Sequence, residues 1–207
     1  MIIRLLITSL FIVAGSAKLT AAPVAFDFKD PKGVNAIQFH LDSLLEPISG
    51  TAGGVAGQVS FDPKNPGATR GSITVAAKSL VVPNAMMNEH LLSTNWLAAD
   101  SNPEIIFQLA ELTEIRTKDN ETTAQAKGSL TLKGVTRPIS IPVKLTHLPD
   151  ALGKRMNKPE LKGDLLVIRG EFTIVRADYG IQPGKNEDKV SPEVKLTLGI
   201  VGSASRS

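Results

Sequence analysis

The 207-residue sequence contains no cysteine, which excludes disulfide frameworks, thiolate metal sites, cysteine nucleophiles and a lipid-anchored cysteine. Its aromatic content is only seven Phe, one Trp and one Tyr, which leaves few side chains for stacking on nucleic-acid bases. The net charge is +3 and no long basic block is present, so electrostatic binding of nucleic acid is also disfavoured. We therefore expect no nucleic-acid partner.

No apolar run reaches the roughly 20 residues that a membrane-spanning helix needs. The longest one, residues 5–14, follows Arg4 and precedes small residues at 15–17 and again at 21–22. This order is typical of a secretory signal peptide, so the sequence predicts a signal at residues 1–22 and export of residues 23–207 as a single domain. Cleavage after Ala22 would also remove Lys18 and leave a net charge of +1.

Apolar residues alternate with polar ones in eight segments of the remaining chain, which predicts strands that each bury one face. The inward positions of the eight segments are Ile37, Phe39 and Leu41; Val55, Val59 and Phe61; Ile73, Val75 and Ala77; Ile105, Phe107 and Leu109; Ala124, Ala126, Gly128, Leu130 and Leu132; Ile139, Ile141, Val143 and Leu145; Leu166, Ile168, Phe172 and Ile174; and Val194, Leu196, Leu198 and Ile200. Parallel strands would be apolar on both faces and joined by helices, so this pattern predicts an antiparallel barrel or sandwich.

One segment, residues 84–96, has helical rather than alternating spacing of its apolar residues, and we call it the lid segment. It is expected to form a short helical lid or plug, with His90 and Leu91 facing a pocket. Residues 50–54 and 151–162 read as loops.

The sequence carries few signs of catalysis. It has no Gly-x-Ser-x-Gly elbow, no P-loop and no histidine pair at metal-ligand spacing, so we expect no catalytic residue, metal or cofactor. His40 lies on the polar face of its strand and His147 ends a strand, so both are expected to be exposed. A metal-dependent hydrolase that uses clustered histidines remains an alternative, although the position of His40 opposes it.

The inward face of the predicted barrel mixes large residues such as Phe107 with small ones such as Ala126. An eight-stranded barrel is either filled by its own side chains or holds one slender ligand, and alternation alone does not decide between them. A filled barrel that acts as a stress or interaction protein therefore also remains an alternative.

Arg176 shares its strand face with Phe172 and Ile174, which places a cation inside the end of a strand. A buried guanidinium requires hydrogen-bonding partners. It is expected either to pair with a nearby carboxylate or to contact a polar headgroup of a ligand, and both readings stay open.

Three segments together resemble one known family. They are N-E-H-L at residues 88–91 with W-L-A-A-D-S-N-P-E-I-I-F at 96–107, G-S-L-T-L-K-G-V-T-R-P-I at 128–139, and F-T-I-V-R-A-D-Y-G-I at 172–181. They are similar to signature segments of the YceI-like family of periplasmic proteins, in the same order, over roughly residues 37–200.

The resemblance implies an eight-stranded antiparallel, lipocalin-like barrel with one short helical lid. It also implies a periplasmic, non-catalytic protein whose apolar tunnel binds, carries or stores an amphiphilic lipid of polyisoprenoid, isoprenoid-quinone or fatty-acid type. A homodimer is left open. The candidate ligand-binding residues are Phe39, Ile73, Val75, His90, Leu91, Ile105, Phe107, Ala126, Leu130, Ile141, Phe172, Ile174 and Arg176.

Overall fold

The computed structural model describes residues 23–206, so the predicted signal peptide at residues 1–22 lies outside it. The strands and helices of this range are β1 (Val24–Asp27), β2 (Ala36–Asp42), β3 (Pro47–Ala52), β4 (Val55–Phe61), β5 (Arg70–Ala76), β6 (Leu80–Val81), α1 (Ala85–Leu92), β7 (Glu104–Lys118), β8 (Glu121–Leu132), β9 (Val135–Leu148), α2 (Leu152–Met156), β10 (Lys162–Val175) and β11 (Glu193–Arg206). Short 3₁₀ turns occupy Pro66–Ala68, Ala77–Ser79 and Arg176–Tyr179.

The strands close into a barrel. They pair in the order β1-β4-β5-β7-β8-β9-β10-β11, and β1 pairs back onto β11 at Asp27 and Ser203. All of these pairs are antiparallel. The prediction of an eight-stranded antiparallel barrel is therefore confirmed. β2 pairs with another stretch of β11, residues 195–199, so β1 and β2 lie one after the other along the same side of β11.

Asn35 bridges the break between β1 and β2. Its buried side chain accepts a hydrogen bond from the Val201 backbone N–H at 2.9 Å and donates to the Val201 carbonyl at 3.0 Å. It also donates to the Phe28 carbonyl at 3.1 Å. The amide thus supplies β11 with the backbone partners that an unbroken strand would have given.

All eight predicted strands are present, but three further strands, β1, β3 and β6, and one helix, α2, were missed. The loop predicted at residues 50–54 is wrong in its first half, because Gly50 belongs to β3 and pairs with Phe39. The Phe39 ring occupies the space that a Cβ at Gly50 would fill, so glycine here permits close packing rather than a turn. The predicted loop at 151–162 contains α2, a single helical turn.

One end of the barrel, which we call the closed end, is filled by four fully buried side chains: Phe26, Phe28, Phe61 and Leu166. Pairing of Val175 with Glu193 and of His40 with Lys195 brings the end of β10, the start of β11 and the end of β2 together at the other end. We call that end the rim. The helix α1 also lies at the rim, because β6 pairs with β3, runs towards the rim and is followed by α1.

His147 lies at the closed end and is not exposed as predicted. Its ring packs edge-on against Phe26, with ring centroids 6.0 Å apart, and its Nε2 lies 3.1 Å from a carboxylate oxygen of Asp164. Burial raises the pKa of Asp164, but the Asp150 backbone N–H, His147 and Arg206 together outweigh this and lower the pKa below its usual value. The cluster therefore ties β9, β10 and β11 together through charge-assisted hydrogen bonds.

Candidate functional site

The barrel encloses an apolar cavity of about 220 Å³. Because side chains alternate across a strand, the inward-facing residues of the wall strands converge on it. The candidate residues found in its wall are Phe39, Ile73, Val75, Leu91, Ile105, Phe107, Ala126, Leu130, Ile141, Phe172, Ile174 and Arg176. The structure thus brings twelve of the thirteen sequence-derived candidates to one cavity.

His90 is the exception, and its assignment to the pocket is corrected. Asn84 caps α1 by accepting a hydrogen bond from the Met87 backbone N–H at 2.9 Å, which fixes the residue at which the helix begins. Met87 and Leu91 pack against the barrel core, four residues apart on one face. His90 falls outside that face and is exposed.

The cavity extends from the rim towards the closed end, since its wall includes Thr69 and Leu145 as well as Ile105 and Val194. Wall residues near the rim, such as Ile105 and Val194, are only half-buried, whereas the four side chains of the closed end are fully buried and are not part of the cavity wall. Leu97 and Ile181 are buried and cover the cavity from the rim side. The cavity is therefore a blind pocket whose accessible part faces the rim.

Several wall residues were missed by the sequence analysis. Trp96, Leu97 and Ile181 reach the cavity from irregular segments rather than from strands. No periodicity marks a residue in such a segment as inward-facing. Val194 and Leu196 were placed on the inward face of their strand but not among the candidate ligand contacts, and only the register of β11 identifies them as wall residues.

Arg176 lies at the rim in the 3₁₀ turn after β10, and its side chain is only 2% exposed. The predicted pairing with a carboxylate is wrong. All of its donor nitrogens point to backbone carbonyls of the following loop: Nε to Ser191 at 3.1 Å, Nη1 to Ile181 at 3.0 Å and to Gln182, and Nη2 to Lys185 at 2.6 Å and to Val190 at 3.2 Å. Burial lowers the pKa of Arg176, which the charge of Glu187 partly opposes.

This arrangement makes Arg176 the organiser of residues 181–191, which we call the rim loop. The guanidinium makes five hydrogen bonds, the number of its N–H donors, so it offers none to a ligand. Its carbon Cζ also lies 5.8 Å from the ring centre of Trp96, in cation–π contact. The Gln182 side chain donates to the Asn95 carbonyl at 3.1 Å, so the rim loop and the lid segment are linked.

The three histidines do not converge. The Nδ1 of His40 lies 2.8 Å from the Ser49 hydroxyl, His147 lies at the closed end and His90 is exposed on α1. Within residues 23–206, no three metal-ligating side chains come together. No helix in that range is long and apolar enough to cross a membrane.

Comparison with known sequences identifies relatives along most of the chain. The family model described as YceI-like domain matches residues 28–201. A UPF0312 protein from Pseudomonas paraeruginosa is 33% identical over 192 residues, which cover 91% of this chain and 93% of the relative. The protein YceI from Shigella flexneri is 31% identical over 147 residues, covering 70% of this chain and 71% of the relative.

Solved structures share the fold. BcnA from Burkholderia cenocepacia has a TM-score of 0.65 at 19% identity and covers 81% of this chain and 95% of its own. A polyisoprenoid-binding domain from Saccharophagus degradans, implicated in plant cell wall breakdown, has a TM-score of 0.64 at 10% identity, over 87% of this chain and 99% of its own. At these identities the likeness concerns the barrel architecture.

Proposed function

The chain belongs to the YceI-like domain family, and from that premise we propose that it binds a long-chain amphiphilic lipid and carries or stores it. The tail lies in the barrel cavity, and the lipid is of polyisoprenoid or isoprenoid-quinone type. The observation that carries this proposal is the apolar cavity of about 220 Å³ that is shut at one end. The polyisoprenoid-binding domain with the same fold supports it.

The energetics favour an apolar tail over water. An apolar cavity of about 150 Å³ stays dry and takes up small apolar molecules, and the cavity here is larger. Burying a methylene group contributes about 0.8 kcal/mol, so a long tail binds without any polar contact. The wall therefore recognises a class of apolar chains rather than one head group.

The head group is expected at the rim. The polar residues of the wall are Thr69, Ser72 and Arg176, and the hydrogen-bonding capacity of the arginine is already used by the rim loop. A head group would contact solvent and the edge of the lid segment instead. None of these groups forms an acid–base pair, so we propose binding without a catalytic step.

We further propose that the protein works in the periplasm after removal of residues 1–22. The charge, apolar run and small residues at the N-terminus support export. N-terminal sequencing of protein recovered from the periplasm should find a start between Lys18 and Pro23. Recovery from the cytoplasm with Met1 retained would contradict this.

The binding proposal is tested by native mass spectrometry of the purified protein, followed by organic extraction and lipid identification. The wild-type protein should carry a lipid that Ala126→Phe loses, because Ala126 is in the cavity wall and the added ring takes up ligand space. Ala110→Phe is the matched control, since Ala110 is exposed on β7, and it should keep the lipid.

The stability of the same variants separates a cavity from a packed core. A ring that enters free space should change the melting temperature little, whereas overpacking a filled interior costs about 1–3 kcal/mol. Strong destabilisation by Ala126→Phe, together with no lipid in the wild-type protein and no uptake of added polyprenol, would show a filled barrel and refute the proposal.

A further inference from the structure

Two adjacent leucines at the rim are exposed to an unusual degree. Leu44 is 86% exposed and Leu45 is 59% exposed, at the tip of the turn between β2 and β3. We call residues 43–46 the rim hairpin. Single exposed leucines are common on protein surfaces, but two neighbours on one protruding turn form an apolar projection.

The rim hairpin rises directly from the cavity wall. Leu41 lines the cavity and lies two residues before Ser43, the first residue of the hairpin. On the neighbouring strand, Val194 also lines the cavity, next to Lys195, which pairs with His40. The exposed leucines thus stand beside the accessible part of the cavity rather than at the closed end.

Two hydrogen bonds to backbone carbonyls hold the rim hairpin in place. The Leu45 backbone N–H donates to the Asp188 carbonyl at 3.1 Å, and the Ser43 hydroxyl donates to the Lys189 carbonyl at 2.6 Å. Both acceptors belong to the rim loop, which Arg176 organises from beneath. The buried cation therefore fixes the loop that presents the leucines, and their exposure is part of the fold.

A third apolar residue is exposed on α1, which lies at the same end. Met86 is 68% exposed in the first turn of that helix. The charges of the rim loop are balanced, with Lys185 and Lys189 against Glu187 and Asp188, and the rim hairpin adds the carboxylate of Glu46. The rim loop and the rim hairpin thus combine apolar projections with no excess of positive charge that would favour an anionic partner.

We propose that the rim hairpin inserts Leu44 and Leu45 into the surface of a lipid bilayer, so that the cavity opens towards the hydrocarbon. This inference rests on the proposed function, because a long apolar tail that leaves a bilayer must reach the cavity without crossing water. Exposed apolar side chains on a polar body are the usual means of shallow interfacial binding.

A bilayer fits these projections better than a protein partner does. A stable protein interface buries about 1,000 Å² or more of complementary surface, and two leucines on a narrow turn supply far less. A fluid bilayer surface adapts to a projection of any shape. Because the rim hairpin and rim loop carry no excess of positive charge, we expect weak salt dependence and no preference for anionic over neutral membranes.

The test is flotation of the full-length mature protein with vesicles of phosphatidylcholine, alone or mixed with phosphatidylglycerol. The variant L44S/L45S should lower the fraction bound to both kinds of vesicle by about tenfold or more, since tenfold corresponds to only about 1.4 kcal/mol. Val34→Ser is the matched control. Val34 is 60% exposed but lies in the loop before β2, beside the closed end, and its replacement should leave flotation unchanged.

A second measurement separates this inference from the lipid-binding proposal. A polyprenol is offered to each protein either in detergent micelles or in vesicles. L44S/L45S should take up polyprenol from micelles as the wild type does, and should lose uptake from vesicles. If no variant binds polyprenol but the wild type still floats, the proposed function fails and the docking inference stands.

Three results would overturn the inference. The first is flotation of L44S/L45S equal to that of the wild type, and the second is no flotation of the wild type. The third is a wild-type dimer in sedimentation experiments that L44S/L45S converts to a monomer while neither protein binds vesicles, which would make a second copy of the chain the occupant of this surface.

Discussion

Replacing Arg176 by methionine tests whether one buried cation organises the rim. Methionine keeps much of the side-chain volume but removes all five hydrogen bonds to the rim loop. Four of the acceptor carbonyls are partly exposed and regain water, whereas the bond to Ile181 is buried. That carbonyl would remain without a partner.

The expected cost follows from these contacts. An unsatisfied buried acceptor costs about 1–3 kcal/mol, and loss of the stacking on Trp96 adds about 0.5–1 kcal/mol. Release of the desolvated cation offsets part of this, while loss of order in the rim loop adds to it. We expect Arg176→Met to lower the free energy of unfolding by about 2–4 kcal/mol, and the melting temperature by about 10 °C for a domain of this size.

The assay is urea unfolding followed by circular dichroism. Arg169→Met is the matched control, because Arg169 is exposed on the same strand, β10, and its replacement should change stability by less than about 0.5 kcal/mol. Arg176→Lys should fall between the wild type and Arg176→Met, because lysine keeps three of the five donors. Equal midpoints for Arg176→Met and Arg169→Met would refute the reasoning.

Two further predictions concern the closed end. Gly202→Ala should destabilise the protein by about 1–3 kcal/mol in urea unfolding, because a Cβ there would lie 2.6 Å from the buried Phe28 ring. Gly199→Ala is the control on the same strand: its Cβ meets no atom within 4 Å, so it should cost less than about 1 kcal/mol. Equal effects of the two substitutions would show that the Phe28 ring moves freely. Asp164 has a folded pKa below its unfolded value, so the stability it contributes is present above the unfolded pKa and is lost as pH falls through the folded pKa. Asp164→Asn should therefore lower the urea midpoint near neutral pH, and the difference in midpoint from the wild type should become smaller below about pH 4. A difference in midpoint that does not change with pH would contradict this.

Local sequence was enough to predict the eight main strands and most of their inward faces, whereas the choice of a barrel over a sandwich came from the family resemblance. In β2, for example, Ile37, Phe39 and Leu41 point inward because successive side chains of any strand lie on opposite faces. This rule needs no knowledge of the partner strand. It also explains why β3 was missed, since Gly50 breaks the alternation and its role depends on the Phe39 ring of the neighbouring strand.

The tertiary structure decided the properties that depend on several segments at once. Whether the interior holds free space is set by the summed volumes of side chains from the wall strands and the lid segment, and alternation does not measure that sum. The side of α1 on which His90 lies depends on how the helix docks. The partners of Arg176 are backbone carbonyls, which every residue carries, so no sequence pattern identifies them before the rim loop folds around the guanidinium.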